Sequence, residues 1–141
     1  MIGVKPYIAF TGNCEEAINF YKECMDGEIL YMGKYEGSPM EEDGNGDKIL
    51  HCTLKVGDSH IMACDNMHGE NPSGSNISLA VGTSDAAQAE RYFERMAEGG
   101  TVTMPMQETH WAERFGMLTD KYGINWMFNC DKPFDHEKSA G

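Results

Sequence analysis

The chain has 141 residues, of which 40% are hydrophobic and 24% are charged, and its formal net charge is -12. This length suits one domain, and the apolar fraction is sufficient for a packed core. Because the acidic excess repels phosphate backbones and no stripe of Lys and Arg offsets it, the charge argues against nucleic-acid binding. No run of about 20 apolar residues is present, so the sequence predicts no membrane-spanning segment.

The start of the chain and the cysteines favour a cytoplasmic protein. Residues 1–7 contain no basic region followed by an apolar stretch, so they do not resemble a signal peptide. The five cysteines form no C-x-x-C pair and are odd in number, which argues against a disulfide framework and a zinc knuckle. We expect most of them to be buried, small apolar side chains.

The first half of the chain predicts the order strand, helix, strand, strand, strand. Asn13 is a candidate N-cap of the helix, whose apolar side chains recur every three or four residues, and Gly27 ends it. A Gly-Asp turn at 57–58 joins the last two strands as a hairpin. The segment 37–47 is rich in Gly and acidic residues and is predicted to be a solvated loop. The predicted strands are 7–10, 28–35, 48–56 and 59–64.

The second half repeats this order after a polar loop at 65–75. Residues 83–85 offer helix-capping side chains, and the helix ends at the glycine pair 99–100. Asp120 lies at a turn, where Asp commonly accepts hydrogen bonds from nearby backbone N–H groups. The two halves therefore form an internal repeat, followed by a charged tail at 131–141. The predicted strands of this half are 76–81, 101–106, 110–119 and 125–130.

Two stretches of the chain carry a family resemblance. Residues 6–21 resemble the start of PhnB-like proteins of the vicinal-oxygen-chelate superfamily, which includes glyoxalases, bleomycin-resistance proteins and dioxygenases. The second stretch is similar to that family's W-x-x-x-F-G-x-x-x-D-x-x-G-x-x-W-x-x-N pattern. The residues that match this pattern are Trp111, Phe115, Gly116, Asp120, Gly123, Trp126 and Asn129. His51 and the hairpin at 56–62 also fit.

The resemblance implies an α+β fold. Two βαβββ modules, at about 4–65 and 76–130, would form a curved, mostly antiparallel sheet around a cavity, as in glyoxalase and bleomycin-resistance proteins. Both modules would belong to a single domain, 1–130. The resemblance also implies a homodimer.

In metal-dependent members of the superfamily, four strand residues, typically His, Gln or Glu, hold one divalent ion. The matching positions in this chain are Pro6, Met62, Asn76 and Met127. Proline has no side-chain donor, and a thioether is a poor ligand for a hard divalent ion. The resemblance therefore implies no cofactor here. The neighbouring positions are no better as ligands, since they hold Tyr7, Ile61, Ile77 and Trp126.

Strand parity and the motif together predict a ligand-binding face. Trp111 and Phe115 suit contact with a flat or apolar molecule, whereas Trp126 is expected in the core. Cys64 would be a nucleophile only beside a positive charge, and His60 is too far along the strand for a direct hydrogen bond. The predicted ligand-binding residues are Ile8, Phe10, Met62, Cys64, Asn76, Ser78, Trp111, Phe115 and Met127.

Three functions are compatible with these residues, and the catalytic residues stay open. The first is a metal-free homodimer that binds a small, partly apolar molecule between the modules. The second is a metal-dependent lyase, isomerase, dioxygenase or resistance enzyme with non-standard ligands. The third is a dimeric protein-interaction domain with a closed cavity. The alternative metal ligands are His51, His60, Glu108 and His110, of which His110 is also a candidate general acid or base.

Overall fold

The computed structural model describes residues 3–66, 74 and 76–132. The chain divides into two compact units, Met1–Pro72 and Ser73–Gly141, and the described part of each contains one helix and one four-stranded mixed sheet. Both units have the order strand, helix, strand, strand, strand, so the predicted α+β fold with a repeated βαβββ unit is confirmed. In the described residues, neither helix has the length and apolar character needed to cross a membrane.

The first unit consists of β1 (Tyr7–Phe10), α1 (Cys14–Met25), β2 (Glu28–Lys34), β3 (Ile49–Val56) and β4 (Ser59–Asp65). The strand order is β1-β4-β3-β2, in which β1 and β4 are parallel and the other pairs antiparallel. The apolar side chains of α1 recur at helical spacing and pack on β3 and β4. The buried residues of α1 are Cys14, Ala17, Ile18, Tyr21, Cys24 and Met25.

Asp65, at the end of β4, holds the start of α1 in place. Its Oδ1 accepts hydrogen bonds of 2.9 Å from the backbone N–H groups of Gly12 and Cys14, and its Oδ2 accepts one of 2.9 Å from Ile49. Asn13 is the N-cap residue of α1, as predicted, but its side chain makes no capping hydrogen bond. A carboxylate from a distant strand instead binds the N–H groups on either side of Asn13 at the start of the helix.

The end of α1 also differs from its prediction. Asp26, rather than Gly27, adopts the left-handed conformation, with φ 52° and ψ 44°. Gly27 is needed for a close approach instead, since a Cβ atom there would lie 2.9 Å from the Lys55 carbonyl oxygen and 3.1 Å from Leu54 Cδ1. This glycine therefore lets the chain pass directly against β3.

The second unit consists of β5 (Leu79–Thr83), α2 (Ala86–Ala97), β6 (Thr101–Gln107), β7 (Ala112–Thr119) and β8 (Asn125–Asp131). The strand order β5-β8-β7-β6, with β5 and β8 parallel, repeats that of the first unit. Asp85 caps α2 as predicted, accepting a hydrogen bond of 3.1 Å from the Gln88 N–H. The buried residues of α2 are Ala89, Tyr92, Phe93 and Met96.

The turn between β7 and β8 is organised by a buried carboxylate. Asp120 Oδ1 accepts hydrogen bonds from the backbone N–H groups of Tyr122 at 2.8 Å and Ile124 at 3.0 Å, as expected for Asp at a turn. Its Oδ2 accepts a further bond of 2.9 Å from Trp126 Nε1. Trp126 is 2% exposed, so its predicted place in the core is confirmed.

Candidate functional site

In each unit the helix packs on one face of the sheet, and we call the opposite face the open face of that sheet. The sulfur atoms of Cys14 on α1 and Cys52 on β3 lie 3.7 Å apart, which identifies the helix-covered face of the first sheet. In the second sheet, the rings of Phe93 on α2 and Phe128 on β8 make an edge contact at 5.8 Å and identify the covered face there.

Two predicted binding residues lie on the helix-covered face of the first sheet. Ile8 pairs with Ala63, which is fully buried, and paired strand residues point to the same side. Ile8 and Phe10 are therefore core residues, 9% and 4% exposed, and placing them on one face with Met62 and Cys64 was wrong. The prediction counted along β1 from Pro6, whereas Met62 pairs with Tyr7, and a one-residue slip moves every side chain to the other face.

The open face of the first sheet brings together aromatic and titratable side chains that the sequence did not link. Tyr7 Oη lies 3.2 Å from His51 Nδ1, and the ring centroids of Tyr31 and His51 are 6.1 Å apart. Gly33 pairs with His51, and a Cβ atom at this glycine would overlap the Tyr31 hydroxyl, so the tyrosine ring lies across the strand. Burial, followed by a hydrogen bond with Cys64, raises the pKa of Tyr7 to about 12.

The two strand histidines of this unit do not come together. His60 pairs with Lys55, near the hairpin turn. The same register, continued along β3, places His51 opposite Cys64, about 13 Å farther along the ladder. His51 and His60, both named above as alternative metal ligands, are therefore too far apart along the ladder to bind one ion, although both side chains belong to the open face.

The open face of the second sheet presents an aromatic pair beside an amide. Trp111 is 48% exposed, and its ring meets that of Phe115 edge-on, with centroids 5.4 Å apart. Phe115 pairs with Asn129, which pairs in turn with Gly82, where an added Cβ atom would meet nothing within 4 Å. Asn129 Nδ2 donates to Asp131 Oδ1 at 2.7 Å, while Asn129 Oδ1 is shielded from solvent and accepts no hydrogen bond from the described residues.

The other ligand-binding residues predicted in the second half lie either on this open face or in the segment before β5. Met127 pairs with Ala80 and shares the open face with Asn129. Asn76 and Ser78 precede β5, so their assignment to a strand is wrong. The segment before β5 is held by a side chain instead, since Asn125 Nδ2 donates to the Ile77 carbonyl oxygen at 3.2 Å.

The family's metal-binding positions carry donors that do not fit a divalent ion. Met62 pairs with Tyr7 rather than with Pro6. The donors at this pair are therefore a phenol with a raised pKa and a thioether. Met127 offers a second thioether, and Asn76 an amide outside the strand. Imidazole and carboxylate groups, which suit such ions, are missing from these positions.

The alternative ligands of the second unit have other contacts. His110 is exposed and its ring meets Trp111 edge-on at 4.9 Å, and Glu108 forms an ion pair of 3.4 Å with Lys132. Within 3–66, 74 and 76–132, no group of three or more His, Cys, Asp or Glu side chains is arranged to hold a metal ion.

Two repeated βαβββ units, each with one helix-covered and one open sheet face, define the class of proteins with the glyoxalase/bleomycin-resistance fold. The family described as 3-demethylubiquinone-9 3-methyltransferase matches residues 3–128. The chain belongs to this family, which includes the PhnB-like proteins.

Three relatives are similar to this chain over nearly the whole of its length. Protein YjdN from Escherichia coli K12 is 31% identical over 140 residues, covering 92% of this chain and 95% of YjdN. The crystal structure of protein PA1353 from Pseudomonas aeruginosa has 39% identity and a TM-score of 0.85, covering 93% of this chain and 98% of that one. A putative 3-demethylubiquinone-9 3-methyltransferase, PhnB protein, from Bacillus cereus has 26% identity and a TM-score of 0.79, with coverage of 91% and 98%.

More distant structures share the fold alone. A glyoxylase/bleomycin resistance protein/dioxygenase domain from Frankia has 15% identity and a TM-score of 0.69, with coverage of 99% and 98%. The fosfomycin resistance protein FosX from Listeria monocytogenes has 12% identity and a TM-score of 0.66, with coverage of 99% of both chains. Both carry the glyoxalase/bleomycin-resistance fold that the sequence predicts.

Proposed function

We propose that this chain is a metal-free small-molecule-binding protein, and that the open face of its second sheet takes a flat, partly apolar ligand. The observation that carries the proposal is the indole of Trp111, which Phe115 holds edge-on while 48% of the residue stays exposed. A large ring held in one orientation loses little conformational entropy on binding. A flat ligand covering it would remove apolar surface from water.

Asn129 and Gly82 indicate which polar group the ligand carries and where its ring lies. The open space beside Gly82 adjoins the amide of Asn129. A ligand ring in this space reaches Asn129 Oδ1 once the Asn129 side chain turns slightly toward it. Leaving a shielded carbonyl oxygen without a hydrogen bond costs about 1–3 kcal/mol. A ligand hydroxyl or N–H group that donates to Asn129 Oδ1 would recover this energy. The ligand is therefore a flat ring with a hydrogen-bond donor at its edge.

The family description narrows the chemical class of the proposed ligand. It names a demethylubiquinone, whose reduced form is a flat, methoxy-substituted ring that carries hydroxyl groups. This chemistry matches the donor and the flat surface that the second open face requires. Substituted hydroquinones are therefore the ligand class that we propose, and binding of the ring is the activity that the Trp111 geometry supports.

We further propose that the protein acts as a homodimer in the cytoplasm. All five cysteines are free, which fits a reducing compartment. The dimer rests on the family resemblance, and light scattering on the purified protein tests it, since a mass of one chain would contradict it. Elemental analysis of protein purified without chelator tests the metal-free state, which stoichiometric divalent metal would contradict.

Tryptophan fluorescence, titrated with a methoxy-substituted hydroquinone, tests the binding site. We expect saturable quenching that Trp111→Phe removes, because Trp126 is shielded in the core. Gly82→Val should fill the adjoining space and weaken binding about tenfold or more by calorimetry, a change of about 1.4 kcal/mol. Val102→Thr is the matched control, since Val102 is exposed but pairs with the buried Leu118 of the helix-covered face. Equal affinity in Gly82→Val and Val102→Thr would contradict the proposed site.

A further inference from the structure

Three side chains from three strands meet on the open face of the first sheet. The register of β3 and β4, continued by one rung, places His51 directly opposite Cys64. Tyr7 pairs with Met62, two residues before Cys64, and is therefore a diagonal neighbour of the cysteine. The Tyr7 hydroxyl is 3.2 Å from His51 Nδ1. Tyr7 is also close enough to Cys64 to influence the pKa of its thiol through a side-chain hydrogen bond. Cys64 is partly exposed, unlike the other four cysteines, which are buried.

Tyr7 connects the other two groups because a phenol both accepts and donates a hydrogen bond. The thiol of Cys64 can donate to Tyr7 Oη while the Tyr7 hydroxyl donates to Nδ1 of a neutral imidazole. This order assigns the proton of neutral His51 to Nε2. The result is a continuous path for a proton from sulfur to imidazole. The Tyr31 ring also contacts the imidazole, with centroids 6.1 Å apart.

We propose that this arrangement makes Cys64 a nucleophile toward activated alkenes, such as enones and quinones, with Tyr7 and His51 as the groups that receive its proton. Sulfur forms a bond to the β-carbon of the alkene, and the π electron pair moves to the carbonyl oxygen. The thiol proton passes through Tyr7 to His51, and the imidazolium then protonates the enolate. The sum is addition of S–H across the C=C bond, which needs no oxidant or other co-reactant.

The surroundings of Cys64 make a base necessary. Burial raises the pKa of the Cys64 thiol and outweighs the lowering effect of Tyr7, whose hydroxyl donates to the sulfur only after the thiol proton has moved. The group is therefore a neutral thiol at neutral pH. The reaction of Cys64 therefore depends on general-base catalysis, in which the thiol proton passes to His51 during the attack, and not on a preformed thiolate. The titratable side chains that interact electrostatically with Cys64 are Tyr7, Cys14, Tyr35, Cys52 and Asp65. His51 faces Cys64 from the neighbouring strand.

The other cysteines provide an internal comparison. Each of the four buried cysteines is at most 4% exposed, so a reagent that modifies only accessible thiols should react with Cys64 first. N-ethylmaleimide, an activated alkene, is the probe, and the full chain is used in its folded state. Peptide mass spectrometry identifies the modified residue, and the rate is measured over a range of pH. The buried residues in question are Cys14, Cys24, Cys52 and Cys130.

We expect His51→Gln and Tyr7→Phe each to slow modification of Cys64 on the order of a hundredfold at neutral pH. In the unsubstituted protein the rate should rise less steeply with pH than the thiolate fraction does. In both variants it should instead keep rising about tenfold per pH unit, following the thiolate fraction. Added imidazole should restore the rate in His51→Ala but not in Tyr7→Phe. His60→Gln, on the same open face near the hairpin, is the control and should react at the original rate.

Two results would overturn the inference. One is modification of Cys64 with the same rate and pH profile in His51→Gln, Tyr7→Phe and the original protein. The other is a Cys64 that reacts only after unfolding in urea. Circular dichroism verifies that each variant is folded. Because the hydroquinone titration reports on Trp111 in the second unit, failure of either proposal is distinguishable from failure of the other.

Discussion

Trp126 Nε1 donates a hydrogen bond of 2.9 Å to Asp120 Oδ2, and both residues are buried, at 2% and 3% exposure. Replacing Trp126 by Phe removes one hydrogen-bond donor from the buried carboxylate and leaves a cavity where part of the indole ring was. We expect a loss of about 2–4 kcal/mol in the free energy of unfolding, measured with urea. Trp111→Phe makes the same chemical change at a half-exposed site and should cost at most about 0.5 kcal/mol. Equal losses would contradict the structural role of the Asp120–Trp126 bond.

The two helices should respond differently to removal of their N-cap side chains. Asp85 accepts a hydrogen bond from the Gln88 N–H, so Asp85→Ala should lower the free energy of unfolding by about 1 kcal/mol. Asn13→Ala should change it by only a few tenths of a kcal/mol, because the Asn13 side chain makes no capping bond and Asp65 binds the N–H groups there. Chemical denaturation of both variants measures the difference. A larger loss for Asn13→Ala would contradict the capping role of Asp65.

Two glycines of the second sheet differ in their tolerance of a side chain. A Cβ atom at Gly116 would lie 2.6 Å from Met106 Sδ and 2.9 Å from Phe93 Cε2, between the sheet and α2. We expect Gly116→Ala to lower the free energy of unfolding by about 1–3 kcal/mol through overpacking. Gly82→Ala, in open space on β5, should stay within about 0.5 kcal/mol of the original. If thermal unfolding shows both variants equally stable, α2 does not pack so closely on β7.

Tyr7 should make stability fall at alkaline pH. Burial and the hydrogen bond with Cys64 raise the pKa of Tyr7 from 10.0 to about 12, so the folded chain holds the phenolic proton more tightly than the unfolded chain. The stabilising contribution is complete below about pH 10 and is lost as the pH rises through about 12. Tyr7→Phe should therefore flatten the decline of the urea midpoint across this interval. An unchanged slope would contradict the raised pKa.

The sequence by itself determined the kind and order of the elements. Apolar residues at helical spacing, closed by turn residues, predicted both helices, and the Gly-Asp hairpin joined β3 to β4 at the correct place. These signals are local, because each depends on residues within one or two turns of the chain. Asp120 was predictable for the same reason, since its backbone partners Tyr122 and Ile124 lie within four positions of it.

Only the tertiary structure decided which side chains share a face and meet. Residues 7–10 are apolar at every position, so no alternation indicates which side of β1 is buried. The register with Met62, more than 50 positions away, makes Ile8 part of the core and places Tyr7 on the open face. His51, which Tyr7 reaches on that face, likewise could not be linked to it from the sequence. A strand repeats every two residues, so a slip of one residue reverses its faces, and long-range pairing alone sets that choice.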